Sequence, residues 1–169
     1  MPSILTCLVA KRLGDPSRST RRETYQLRDF AASLLKRVLE RFSASYSTLK
    51  PRITRALLKA YLDNKKPFTT HYGAIVGLTM MGREVVRTLV VPNLKIYAEH
   101  LLEPALNEGD LSQRDDAEKV LEAIMVLWMS GILLTFRNLW MYLLRKSRLR
   151  WKSRLMRRRW SCWGRNWGR

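Results

Sequence analysis

Between residues 27 and 42 the apolar side chains fall at Leu27, Phe30, Ala31, Leu34, Leu35, Val38, Leu39 and Phe42. That spacing places them on one broad stripe of an α-helix. Arg28, Lys36, Arg37, Glu40 and Arg41 lie off the stripe and are expected in water. A polar turn at 43–48 leads to a second helix near Pro51, where proline suits the first helical turn. Leu49, Ile53, Leu57 and Tyr61 recur every four residues, and Arg52, Arg55, Lys59 and Asp63 are expected to stay wet. Residues 64–67 end that helix. A third helix is expected over 68–81, closed by Gly82, and a fourth from Arg83, kinked or interrupted at Pro92. A polar turn at 107–113 precedes a fifth helix that starts near 111–112. Upstream, residues 1–10 read as the end of a helix and 14–24 as a polar surface loop.

No stretch alternates as a strand would, so the fold class is all-α. A shift of 43 residues, applied twice, superimposes Arg28, His71 and Arg114. It also superimposes Ala31, Ala74 and Ala117; Leu35, Leu78 and Leu121; Val38, Met81 and Ile124; and Phe42, Val85 and Trp128. A period of about 40–47 residues with two helices per unit is the HEAT or armadillo range. The expected architecture is a HEAT-repeat α-solenoid of stacked antiparallel helix pairs, each covering the apolar face of the next. The repeated alanine lets neighbouring helices approach, and the repeated leucine fills the seam.

Composition divides the chain in two. The net charge is +18 over 169 residues. Residues 123–169 carry 12 Lys or Arg and no Asp or Glu, and all six tryptophans follow residue 127. The expected organisation is therefore a partial repeat domain over 1–127 and an atypical tail over 128–169, apolar at first and then rich in Arg and Trp. Three readings of the tail stay open. Residues 123–144 suit a membrane helix in length and flanking charge, with Arg137 inside the span against it. A helix starting after Gly131 would continue the solenoid. The third reading is a translated segment without an evolved role. Cys7 and Cys162 are too few and too far apart for a disulfide framework or a cysteine zinc site.

Residues 49–78 read LKPRITRALLKAYLDNKKPFTTHYGAIVGL. Arg52, Ile53, Thr54, Asp63, Lys66, Pro67, Thr69, Thr70, Tyr72, Gly73, Ile75, Gly77 and Leu78 match a long pattern. In these residues the chain resembles the C-terminal HEAT-repeat domain family of transcription initiation factor TFIID subunit 6, shared with the SAGA coactivator. Residues 5–13, 27–35 and 90–94 resemble it too. The resemblance implies a non-enzymatic nuclear scaffold acting in RNA polymerase II initiation through other TFIID and SAGA subunits. Promoter DNA would be met mostly indirectly. The family's amino-terminal histone fold and first repeats are absent from this sequence. An uncapped apolar end and self-association through the repeats are expected.

The motif also has a local physical reading. Lys66 and Pro67 stop one helix, and Thr69 or Thr70 is expected to cap the next. Gly73 and Gly77, four apart, remove two side chains so that another helix comes close. The segment is too polar for a membrane dimer.

Catalytic chemistry finds little support. A Ser–His–Asp set drawn through His71 and Asp63 lacks a nucleophile motif. Asp115, Asp116, Glu118 and Glu122 lack metal-loop spacing and are expected as a solvated helix start. No cofactor, metal or small-molecule ligand is expected. The candidate interface is Arg52, Arg55, Lys59, Lys65, Lys66 and His71, able to meet acidic proteins or phosphates. A basic nucleic-acid-binding module and a membrane-anchored protein remain the alternative functions.

Overall fold

The computed structural model describes residues 2–13, 21–107 and 110–129. Six helical elements fill them: α1 (Pro2–Val9), α2 (Arg21–Phe42), α3 (Leu49–Leu62), α4 (Phe68–Met80), α5 (83–107) and α6 (Leu111–Met129). Among the described residues there is no strand. α4 packs between α2 and α6; α1 packs on α2, α3 and α4, and α3 and α5 pack on α4. Tyr61 of α3 and Tyr97 of α5 join those two helices, their ring centroids 4.8 Å apart. One layer thus runs α2, α4, α6 and the other α1, α3, α5, the arrangement of an α-helical repeat stack.

The 43-residue offset marks the shared seam. Ala31, Ala74 and Ala117 are all buried, as are Leu35, Leu78 and Leu121. The first register does not hold throughout: Arg28 and His71 are buried, whereas Arg114 is exposed.

α2 differs from expectation in two ways. It begins at Arg21, so the polar loop ends four residues sooner than the 14–24 expected; 14–20 lie outside the described residues. Its buried side also turns away from the middle of the predicted stripe. Tyr25, Arg28, Ala31, Ala32, Leu35 and Leu39 are buried, while Leu27, Phe30 and Phe42 are exposed. The stripe is wider than the area that α1 and α4 cover, so its far edge faces water.

α5 passes through Pro92 without interruption. The prolines remove two backbone donors and crowd the preceding turn. Residues Val86–Val90 and Ala98–Leu102 form π turns, and Pro92 and Pro104 each sit two residues beyond one. The widened turn accommodates the ring. The Asn93 Nδ2 group donates to the Leu89 carbonyl at 2.8 Å, serving an acceptor in that turn. Between α4 and α5, Gly82 adopts φ 118°, a backbone conformation that favours glycine.

Among the described residues no helix is long and apolar enough to cross a membrane. Everything the sequence suggested for residues 130–169 lies outside the described residues.

Candidate interaction surface and the joint beneath it

α3 forms over Leu49 to Leu62 because its apolar repeat buries Ile53, Leu57, Ala60 and Tyr61, and Pro51 falls in the first turn, where proline is tolerated. The opposite side presents Arg52, Arg55 and Lys59, all exposed, at i, i+3 and i+7. Lys65 is exposed and Lys66 half-buried just beyond the helix. These five predicted interface residues therefore share the outer side of one helix and the turn after it. His71 does not join them. It is fully buried in the second turn of α4, so it offers no surface, because its ring packs inward between Phe68 and Tyr97.

The turn after α3 is built by the motif itself. Asp63 Oδ1 accepts from the Lys65 backbone N–H at 3.1 Å, and the Asp63 carbonyl accepts from Lys66 N–H at 3.0 Å. The Lys66 carbonyl lies 3.1 Å from His71 Nε2. Pro67 ends this turn in an extended conformation and starts α4. No threonine side chain caps α4, contrary to expectation. Thr70 instead donates its hydroxyl to the Ala10 carbonyl at 3.1 Å, because the end of α1 lies against it. Thr54 Oγ1 donates to the Lys50 carbonyl at 2.9 Å within α3.

α1 is held by a joint that the sequence did not suggest. Arg28 is fully buried and donates to the carbonyls of Cys7, Leu8 and Ala10 at the end of α1. Helix ends leave carbonyls without partners, and a cation is favoured there by the helix dipole. Burial lowers the guanidinium pKa to about 10, which still leaves it charged at neutral pH. Gly73 faces the same place. A β-carbon at Gly73 would collide with the Leu8 carbonyl oxygen and come within 3.1 Å of an Arg28 nitrogen. At Gly77 a β-carbon would meet only side-chain carbons of Leu57 and Leu8, at 3.0–3.4 Å. The two glycines do create close approach, to α1 and to α3. Gly77→Leu is expected to destabilise the protein by about 1–3 kcal/mol through overpacking. An unchanged thermal unfolding midpoint would contradict that contact.

A polar strap crosses the α2, α4, α6 layer. Arg21 pairs with Asp115 at 3.2 Å and Asp116 at 3.6 Å. Tyr25 donates to Asp116 at 2.7 Å, and Tyr72 donates to Asp29 at 2.8 Å. The Tyr25 and Tyr72 rings meet edge to face, with centroids 4.8 Å apart. Burial first, then the bond to Asp116, pushes the Tyr25 phenol above its usual range. Asp115 and Asp116 thus take part in interhelix contacts and are more than a solvated helix start. Arg21 lies in the polar stretch whose composition predicts a loop, so no sequence signal pairs it with them.

His71 is pushed below its ordinary pKa of 6.5, chiefly by burial, against the raising effect of nearby backbone carbonyls and Asp63. The unfolded chain therefore takes up this proton first as the pH falls. The neutral form keeps its full contribution above about pH 6.5. Stability then declines below it by up to about 1.4 kcal/mol per pH unit, until the folded imidazole also protonates. Denaturation midpoints at pH 7.5 and 5.5 check this. His71→Phe is expected to flatten the decline, and an unaltered slope would contradict the assignment.

The sequence profile described as "TAF6 C-terminal HEAT repeat domain" matches residues 1–95. The chain is 56% identical over 125 residues to the Schizosaccharomyces pombe "SAGA complex/transcription factor TFIID complex subunit Taf6", covering 73% of this chain and 27% of that protein. It is 48% identical over 107 residues to the Arabidopsis thaliana "Transcription initiation factor TFIID subunit 6", covering 63% and 19%. The chain thus spans only about a quarter or a fifth of these relatives' length. Among solved structures, the "TAF6 C-terminal domain from Antonospora locustae" superimposes with a TM-score of 0.52 at 25% identity, covering 72% of this chain and 54% of that one. The profile spans the motif, the joint of α1 and the start of α5, and the chain belongs to the TAF6 C-terminal HEAT repeat domain family.

Proposed function

We propose that this chain is a non-enzymatic scaffold subunit of a TFIID- and SAGA-type assembly, acting in the nucleus in RNA polymerase II transcription initiation. Its mechanism is the rigid presentation of helix ridges to neighbouring subunits. The observation that carries this reading is the 56% identity to a subunit whose name places it in both complexes. The division into a repeat portion over 1–127 and a separate tail over 128–169 is part of the proposal, and its support is the change of composition along the chain, with all six tryptophans after residue 127. The stacked helices support a scaffold because their interior is filled by side chains such as Leu35, Leu57 and Leu78.

The test is affinity purification of the tagged full chain from nuclear extract treated with nuclease, followed by mass spectrometry. Other TFIID or SAGA subunits are expected to copurify. Their absence, with general nucleic-acid-binding proteins retained from untreated extract and lost after nuclease treatment, would favour the basic nucleic-acid module instead. That module predicts DNA binding that survives deletion of 128–169 and falls steeply with salt. The scaffold predicts that the deletion removes most such affinity and leaves subunit contacts intact.

A further inference from the structure

We infer that the outer face of α3 docks an acidic protein segment that carries an apolar side chain beside its carboxylates. The inference rests on the scaffold reading and names the chemistry of one partner. Among the described residues, some of the exposed bases on the other helices are neutralised by acids of their own helix, although Arg37 and Arg41 of α2 are not. Lys36 pairs with Glu40 at 3.8 Å on α2, and Arg87 with Glu84 at 4.0 Å on α5. On α6, Arg114 pairs with Glu118 at 3.7 Å and Lys119 with Glu122 at 2.8 Å. α3 contains no acidic residue at all between Leu49 and Leu62. Arg52 and Arg55 are three apart and Arg55 and Lys59 four apart, spacings at which like charges on a helix repel. Arg52, Arg55 and Lys59 form no ion pair among the described residues. The fold thus carries a repulsive stripe that it does not neutralise internally, and carboxylates from outside would relieve it.

The kind of acid follows from the residue at the end of the stripe. Leu62, three residues beyond Lys59, is 44% exposed, and the exposed Lys65 follows three residues later. A phosphate backbone would satisfy the bases and leave this leucine in water. The aromatic residue of α3, Tyr61, is fully buried, so the face offers no ring on which a base could stack. A polypeptide supplies both partners, carboxylates for Arg52, Arg55 and Lys59 and an apolar side chain for Leu62.

The experiment measures fluorescence anisotropy of a short labelled peptide of Glu-Leu-Glu repeats, and of a Glu-Ser-Glu control, with the purified full chain. Arg52→Glu, Arg55→Glu and Lys59→Glu combined are expected to weaken the leucine peptide about tenfold. Leu62→Ser is expected to weaken it about threefold and to leave the serine control unchanged. Replacing Arg157, Arg158 and Arg159 by Gln accounts for the tail and should lower both peptides alike. All four α3 side chains are exposed, so unfolding midpoints should not move. Should the triple variant unfold early, Arg55→Glu alone, with about a threefold loss, carries the test. The proposal is overturned if charge reversal leaves affinity unchanged, or if Leu62→Ser affects both peptides equally. It is also overturned if duplex DNA binds more tightly than the leucine peptide and is lost on reversal. Failure here leaves the copurification result standing, and a failed copurification leaves this measurement intact.

Discussion

Replacing Arg28 by Met should lower stability by about 3 kcal/mol, although both sequence pattern and charge suggest a harmless surface site. Hydrogen bonds from charged groups contribute roughly 1.5–3 kcal/mol each, and a buried carbonyl left alone costs about 1–3 kcal/mol. Arg28 serves three carbonyls, those of Cys7, Leu8 and Ala10. Part of the loss is offset because methionine fills the space without the desolvation that lowers the guanidinium pKa to about 10. Arg28→Lys should fall between, since one ammonium cannot reproduce the planar fork that spans separate acceptors. Arg37, exposed on the same helix, provides the comparison. Arg37→Met is expected to stay within about 0.5 kcal/mol of the parent. Urea denaturation measures all three, and equal midpoints for Arg28→Met and Arg37→Met would remove the joint from the account.

Gly73→Ala should destabilise by about 2–3 kcal/mol, an unusual sign for this change inside a helix. Helix propensity alone favours alanine over glycine by about 1 kcal/mol. Here the added carbon meets a backbone oxygen, that of Leu8, which cannot swing aside as a side-chain end can. Relief requires α1 to lift from α4, and that movement would pull its carbonyls from Arg28 and Thr70. Gly77→Ala provides the contrast within the same helix. Its β-carbon meets the flexible ends of Leu57 and Leu8, so local repacking and improved propensity should leave stability within about 1 kcal/mol. Equal effects at the two positions would refute the backbone collision. Because Arg28 and Gly73 act on one joint, the double variant Arg28→Met with Gly73→Ala should cost less than the separate losses added together.

The candidate surface was more legible than the joint beneath it. Arg52, Arg55 and Lys59 lie opposite Ile53, Leu57 and Tyr61, and a four-residue period separates those two faces without any knowledge of neighbours. His71 is buried although the sequence suggests a surface site, for the opposite reason. On a helix as apolar and glycine-rich as α4, no polar side marks which direction is outward, and a single histidine fits either. Thr70 reads as a helix cap by position, and only the arrival of α1 turns its hydroxyl toward Ala10.

Apolar period and repeat spacing are local properties of the chain, and from them follow the all-α stacking, most of the helices and the two buried registers at Ala31, Ala74, Ala117 and Leu35, Leu78, Leu121. The sequence also carries the family, through a motif long enough to be specific. Only the packing of helices places Arg28 inside, brings a backbone to Gly73 and carries Arg21 to Asp115 and Asp116. Each depends on which helix end meets which face across a sequence separation of 18 or more, and a charged residue can enter a core only where unpaired carbonyls await it. Such a meeting leaves no period in the sequence to read.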